Sequence, residues 1–421
     1  MAKRLLIYFP GIYMVLTIIV YALSPWEFGD TSDGYSYYLI FVVFAVCCGS
    51  LIGAQNYANK NKSGDSLSSS IDARKLFLIS LWLSYAFYLP TVYARTGKLY
   101  PDFLWSLSHG SEAYERATQS VFPEIEYLRI LCAPFLIGLI PLKFAANKTL
   151  SNRENAAFWV FIVLNCLMFV SMGVNRGIFE SIFGVGFCAA MVRLKAGRRF
   201  WRLSGVTIMA ALVAIVAGAV FFAEGQLNRS GSGALVGYFP AADVSSTLNP
   251  SMAESEFQKY LWVIVNQFSI YIAQGYYLGG AIFSNDNSGS TFGFGYSDFL
   301  LRNAATVFGD DFLARSPIYA FENSHDWIHG NYWFSIIPWF ASDVGYLGAA
   351  IVLLLFAAIY SRAVSEFIRK GAAIDLVMAY CLFFLFLYSS ANNYIFQSGD
   401  MFFGVWIFFI LWLMAKLKNR G

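Results

Sequence analysis

Charge is what this sequence has least of. Asp, Glu, Lys and Arg make up 13% of its 421 residues, about half the share of an ordinary soluble domain, while hydrophobic residues make up 58%. So few charges cannot cover a water-facing surface, so the chain belongs in a bilayer. Cysteine is sparse and poorly placed for chemistry. Cys47, Cys48, Cys132, Cys166, Cys188 and Cys381 all fall inside apolar runs, which argues against disulfides and thiolate metal sites. Histidine is rarer still, with three in the whole chain. A net charge of +3 says little, because in such a protein charge acts loop by loop. No tandem soluble domain or heptad tract is visible, no nucleic-acid partner is expected, and "SGDSLSSS" at 63–70 reads as a short linker.

What is present is length of apolar sequence. About 20 apolar residues in helical form cross some 30 Å of hydrocarbon. Spans are predicted near 5–23, 36–57, 76–94, 127–146, 156–174, 177–195, 204–223, 344–361, 373–390 and 398–417. The fold class expected is an all-α polytopic membrane protein of about 10–12 transmembrane helices. It divides into N-terminal helices over 1–223, one large outer loop over 224–343 and C-terminal helices over 344–421. The N-terminal "MAKRLLIYFPGIYMVLTIIVYALS" resembles a secretory signal, but its apolar core is too long and lacks an A-x-A end, so it reads as a retained first span.

Most of the 29 lysines and arginines sit in alternate loops: the N-terminus, 58–75, 143–155, 193–202, 362–370 and the C-terminal tail. The positive-inside rule assigns that face, with both termini, to the cytoplasm. A single crossing within 259–283, "KYLWVIVNQFSIYIAQGYYLGGAIF", would reverse every later loop, so a re-entrant or interfacial segment is expected there. Its Asn266, Gln267, Gln274 and glycines are costly against lipid and acceptable against protein or a wet cavity.

Two outer loops are long, 95–126 and 224–343, and long loops in compact proteins are usually functional. Basic residues are scarce on that face. Arg302 and Arg315 lie in the larger loop, and Arg176 lies in the tight hairpin "SMGVNRGIFE" at the membrane boundary. A snorkelling side chain, or an ion pair with Glu180 one turn later, is the plain reading of Arg176. The functional reading is an anion clamp, because guanidinium pairs bidentately with phosphate at any pH.

The stretch "FENSHDWIHGNYWFSIIPWF" at 321–340 holds His325 and His329 four residues apart, close to the HExxH zinc motif. Asp326 is one methylene shorter than the usual glutamate base, Gly330 weakens the helix the motif needs, and no third ligand is evident. No metal is therefore expected. His329, Asp326 and Glu322 remain candidates for acid–base work near neutral pH. Tyr332, Trp333 and Trp339 could stack on sugar faces or simply form an interfacial aromatic belt.

From His329 the chain runs through Asn331 and Tyr332 into aromatics, then reaches Asp343, Gly345 and Gly348 as a span begins. This pattern, ending in D-x-G-x-x-G, resembles the end of the large periplasmic loop in Wzy-type O-antigen polymerases, and the related O-antigen ligases carry an H-N-x-Y version. "NRGIF" at 175–179 is similar to the (S/N)-R-G turn of these polymerases. The resemblance implies glycosyl transfer between undecaprenyl-diphosphate-linked oligosaccharides at the outer leaflet of the bacterial inner membrane, without cofactor. The lipid diphosphate is the leaving group, and a chain-length regulator and a flippase are possible partners. Arg176, Arg302 and Arg315 would bind diphosphate, and His329, Asp326 or Glu322 would act as base. A flippase-like transporter would instead show charges deep in spans and a two-fold repeat. A polyprenyl-phosphate-sugar transferase would use acids of the first outer loop, where Glu27, Asp30 and Asp33 stand.

Overall fold

The computed structural model describes residues 2–29, 33–58, 72–118, 123–174, 176–197, 209, 237–239, 244–283, 290–324 and 333–418. The predicted span at 204–223 lies outside the described residues, apart from Met209. The helices run α1 (Ala2–Ile7), α2 (Phe9–Ala22), α3 (Asp33–Ala58), α4 (Ala73–Thr96), α5 (Phe103–Ser108), α6 (Gly110–Thr118), α7 (Pro123–Ala146), α8 (Asn152–Ser171) and α9 (Arg176–Lys195). They continue as α10 (Glu256–Phe283), α11 (Asp298–Phe308), α12 (Pro317–Ser324), α13 (Ile336–Lys370), α14 (Ala373–Leu387), α15 (Tyr394–Gln397) and α16 (Gly399–Lys418). Strand is confined, among the described residues, to the two-residue pair β1 (Tyr238–Phe239) and β2 (Val244–Ser245).

The protein is therefore an all-α polytopic membrane protein. Among the described residues, seven helices are long and apolar enough to cross a bilayer: α3, α4, α7, α8, α9, α13 and α16. The predicted spans at 5–23 and 373–390 correspond to shorter apolar helices, α2 and α14. Pro10, which has no N–H to donate, sits in the first turn of α2 and accounts for the break from α1 at Tyr8.

The chain forms two compact units, and neither is a single stretch of sequence. One comprises Met1–Ser63, Ser232–Ser365 and Cys381–Phe402; the other comprises Gly64–Gly231, Glu366–Tyr380 and Phe403–Gly421. The expected cuts at 223 and 343 follow the order of the chain, whereas contacts gather the first 63 residues with the long loop.

In the first unit, α10 covers 259–283 and narrows the expectation of a re-entrant or interfacial segment to one without a re-entrant turn. A re-entrant segment needs a break, and α10 runs uninterrupted for 28 residues, roughly 42 Å. Its polar side chains face protein. Asn266 accepts from the Ser246 hydroxyl at 2.7 Å and donates to the Leu248 carbonyl at 2.8 Å. The Trp26 indole donates to the Asn266 carbonyl and the Ser269 hydroxyl, both at 3.1 Å, and Thr17 meets the Tyr276 hydroxyl at 2.8 Å. Gly275 and Gly279 leave room for the Ser390 carbonyl and the Tyr35 hydroxyl, where a Cβ would collide.

The span expected at 344–361 is longer than its apolar run. Helix α13 starts at Ile336 and kinks at Gly345, whose φ of 69° and ψ of 172° lie in a region open to glycine. Gly49 and Gly53 of α3 lie against the Leu354 and Ala358 carbonyls of α13, a small-xxx-small contact of the kind that lets membrane helices pack closely.

In the second unit, Asp72 caps α4 and a Ser151–Glu154 capping box starts α8, with Arg74 reaching Glu154 at 2.7 Å. Helices α8 and α9 form the predicted tight hairpin. Gly177 touches the Phe169 ring where any Cβ would overlap it, and Gly173 takes the turn at φ 65°. At the other end of α9's unit, Lys416 pairs with Glu366 and, at 2.6 Å, with Asp375, which also accepts from the Trp412 indole at 2.8 Å.

Replacing Gly53 by Val should force α3 away from α13 and cost about 1–3 kcal/mol of stability. The expected result is a lower thermal midpoint in detergent and a smaller monodisperse fraction on size exclusion. Gly110→Ala, where a Cβ meets open space, should leave both unchanged.

Candidate functional site

The D-x-G-x-x-G residues have definite jobs in the first unit. Asp343 aims its carboxylate at the loop 290–296: one oxygen accepts from the Thr291 hydroxyl and from Gly293 N–H at 3.0 Å, and the other from Tyr296 N–H at 3.0 Å. Gly345, two residues on, supplies the kink of α13. The loop so held puts Phe292 at φ 52°, which no other described non-glycine residue adopts, with its ring 68% exposed. The next residues start α11, where the Ser297 hydroxyl accepts from Leu300 N–H at 3.3 Å and donates to the Phe396 carbonyl at 2.5 Å.

Helix α11 carries Arg302, and its orientation is set locally. Arg302 Nε donates to Asp298 one turn earlier, at 3.1–3.2 Å, and to the Tyr319 hydroxyl of α12 at 3.1 Å. Tyr319 in turn donates to Asp298 at 2.6 Å. Asp298 and Tyr319 are buried, while the Arg302 side chain is 56% exposed and its two terminal nitrogens make no hydrogen bond to any described residue. Burial works against the Arg302 charge, but the Asp298 carboxylate and Tyr319 outweigh it and raise its pKa. Burial, and then the Asp298 charge, pushes the Tyr319 phenol well above its ordinary value, so it stays a donor. A guanidinium anchored through Nε presents its outer edge as a two-pronged donor for an anion.

Arg315 closes the 3₁₀ turn Asp310–Arg315 that joins α11 to α12. Its guanidinium carbon lies 5.5 Å from the ring centroids of both Phe292 and Phe312, within cation–π range. Among the described residues no acid pairs with it. Leu301, Ala304, Phe312 and Tyr319 form the small apolar cluster that packs these elements together, so Arg302 and Arg315 are carried by elements that share one core.

The remaining expected site residues divide. His325, Asp326, His329 and Tyr332 lie outside the described residues. Glu322 is on α12 and only 4% exposed. Trp333 is half-buried, edge-on to Tyr271 at 4.8 Å. Trp339 corrects its expectation: at 2% exposure it belongs to the core with Leu278, Ile282, Ile318, Phe321 and Phe334, and stacking on a sugar needs a free ring face.

Arg176 belongs to the second unit. It opens α9, ion-pairs with Glu180 and remains 44% exposed. A cluster that sequence reasoning passed over packs beside its hairpin, with the Ser106 hydroxyl donating to the Ser171 carbonyl at 2.8 Å. There Trp105 has His109 stacked on it at 4.7 Å and Arg116 at 4.4 Å, with Lys98 at 5.7 Å. Their spacing around Trp105, at i−7, i+4 and i+11, was the readable signal. Lys98 pairs with Asp102 at 2.5 Å and Arg116 with Glu112 at 3.6 Å, so this cluster is internally neutralised.

No family model, curated protein or solved structure matches the chain. Its chemistry has to be read from the residues themselves. Among the described residues, no three His, Cys, Asp or Glu side chains come together as a metal site.

Asp343→Ala removes the acceptor of three hydrogen bonds and should destabilise the protein by about 2 kcal/mol. Limited proteolysis next to Phe292 should accelerate before the rest of the chain becomes sensitive.

Proposed function

We propose that this membrane protein is a Wzy-type polymerase, joining undecaprenyl-diphosphate-linked oligosaccharide repeat units by glycosyl transfer. The observation that carries the reading is the Arg302–Arg315 patch. Among the described residues, it offers one guanidinium with both terminal nitrogens unbonded and another without an acid, on packed elements of a membrane-embedded chain. Such a patch suits a diphosphate at headgroup depth.

In the reaction, a hydroxyl oxygen of the acceptor sugar attacks the anomeric carbon of the donor. The carbon–oxygen bond to the lipid diphosphate breaks, and its electron pair leaves with the diphosphate. Arg302 and Arg315 stabilise the charge that develops there. His329 or Asp326 takes the hydroxyl proton. Glu322 shares their segment, but its burial makes it the poorest of the three for reaching a substrate. Arg176 belongs to the other unit and would act as an anion ligand only by leaving Glu180 or sharing it. The diphosphate supplies the driving force, so neither nucleotide nor metal is needed. The location that goes with this chemistry is the bacterial inner membrane, with both termini cytoplasmic and the patch facing the periplasm. A flippase would feed the substrate, and a chain-length regulator would act beside the polymerase.

Purified protein in liposomes containing a lipid-diphosphate-linked repeat unit should build a ladder of longer glycans in the presence of EDTA and without nucleotide. Movement of the lipid-linked unit across the bilayer with no new glycosidic bond would favour a transporter instead. Arg302→Lys replaces a two-pronged donor by a point charge and should lower kcat about 100-fold. Arg176→Lys should be nearly silent if that residue only pairs with Glu180.

A further inference from the structure

Phe292 is the one described non-glycine residue with a left-handed backbone, and bulky side chains rarely adopt it. It persists because the Asp343 carboxylate holds the Thr291 hydroxyl on one side of it and the Gly293 and Tyr296 N–H groups on the other. That strain does not serve to bury the ring, which is 68% exposed. It serves to hold the ring nearly parallel to Phe312, at 6.4 Å and 18°, with the Arg315 guanidinium beside both. Strained backbone that survives because its surroundings over-determine it is a mark of binding sites.

We propose that Phe292 is a sugar-binding residue: its open face stacks on the pyranose ring that bears the diphosphate, while Arg315 takes a diphosphate oxygen. Asp343 is the positioning residue that aims the ring. The inference rests on the diphosphate reading of the Arg302–Arg315 patch and assigns it the sugar end of the same ligand. Charge complementarity selects this occupant. A pyranose next to a diphosphate offers an apolar C–H face and an anion side by side, which matches a phenyl ring beside a guanidinium. A lipid acyl chain offers the guanidinium nothing.

The test uses the full-length protein in nanodiscs and two kinds of probe: geranyl diphosphate, and geranyl diphosphate glycosylated with glucose, galactose or N-acetylglucosamine. At least one glycosylated probe should bind more tightly than geranyl diphosphate. Phe292→Ala should remove that gain, a loss of up to about tenfold, and leave geranyl diphosphate binding intact. Phe292→Trp should keep the gain, and Arg315→Ala should weaken both probes. Phe292→Gly should lose the gain while unfolding at the same or a higher temperature, because glycine relieves the backbone. If wild type binds the two kinds of probe equally, the stacking role is overturned and the diphosphate reading stands. If it binds neither, the diphosphate reading fails and takes this inference with it. Quenching of the tryptophan in Phe292→Trp by brominated acyl chains, unrelieved by the glycosylated probes, would put the ring in lipid and overturn the proposal.

Discussion

One carboxylate organises the loop 290–296 and the helices that follow it in the first unit. Asp343 satisfies donors at three points of the loop 290–296, and Ser297, which follows that loop at once, caps α11 and ties it to Phe396. The position of α11 fixes Asp298 and Arg302, and the apolar cluster built on Leu301 and Phe312 brings Tyr319 and Arg315 to the same patch. A backbone segment without helix or sheet partners needs some other acceptor for its N–H groups. Here Ser290 and Thr291 accept from Phe292 and Phe294 within the loop, and Asp343 accepts from Gly293 and Tyr296, which couples the start of α13 to the chemistry-bearing patch.

The two kinds of cation on this protein differ in what they are free to do. In the loop around Trp105, the lysine and the arginine each have a carboxylate at hand, and their charge is spent within the cluster. On the Arg302–Arg315 patch, the buried Asp298 engages Arg302 through Nε, and among the described residues the outer nitrogens are left for something else. Arginine numbers alone would not separate these cases. The direction in which each guanidinium is anchored does.

Much of the architecture was legible because it depends on local composition. Apolar length predicted the helices α3, α4, α7, α8, α9, α13 and α16, and the tight α8–α9 turn was readable from "MGVNRG". What failed depended on neighbours far away in sequence. The glycines and amides of α10 read as residues suited to contact with protein, but the partners themselves, Ser390, Tyr35 and Ser246, come only through the fold. Trp339 and Trp333 looked alike as aromatics, and the core decides between them. Arg302 could be picked out as a rare outer cation and its Asp298 partner is one helical turn away, but Tyr319 arrives only through the fold. Asp343 was visible as a motif letter while its purpose lay about 50 residues upstream. Nothing in "STFGFGY" marks Phe292 as the left-handed residue, because glycine usually takes that place.

The polar face of α10 also bears on how the chain is made. Asn266 and Tyr276 would be poorly received by lipid if this helix left the ribosome alone. The groups that meet them, Ser246 and Leu248 for the Asn266 amide and Thr17 for the Tyr276 hydroxyl, are translated 20, 18 and 259 residues earlier. Synthesis from the N-terminus therefore delivers the partners before the helix that requires them.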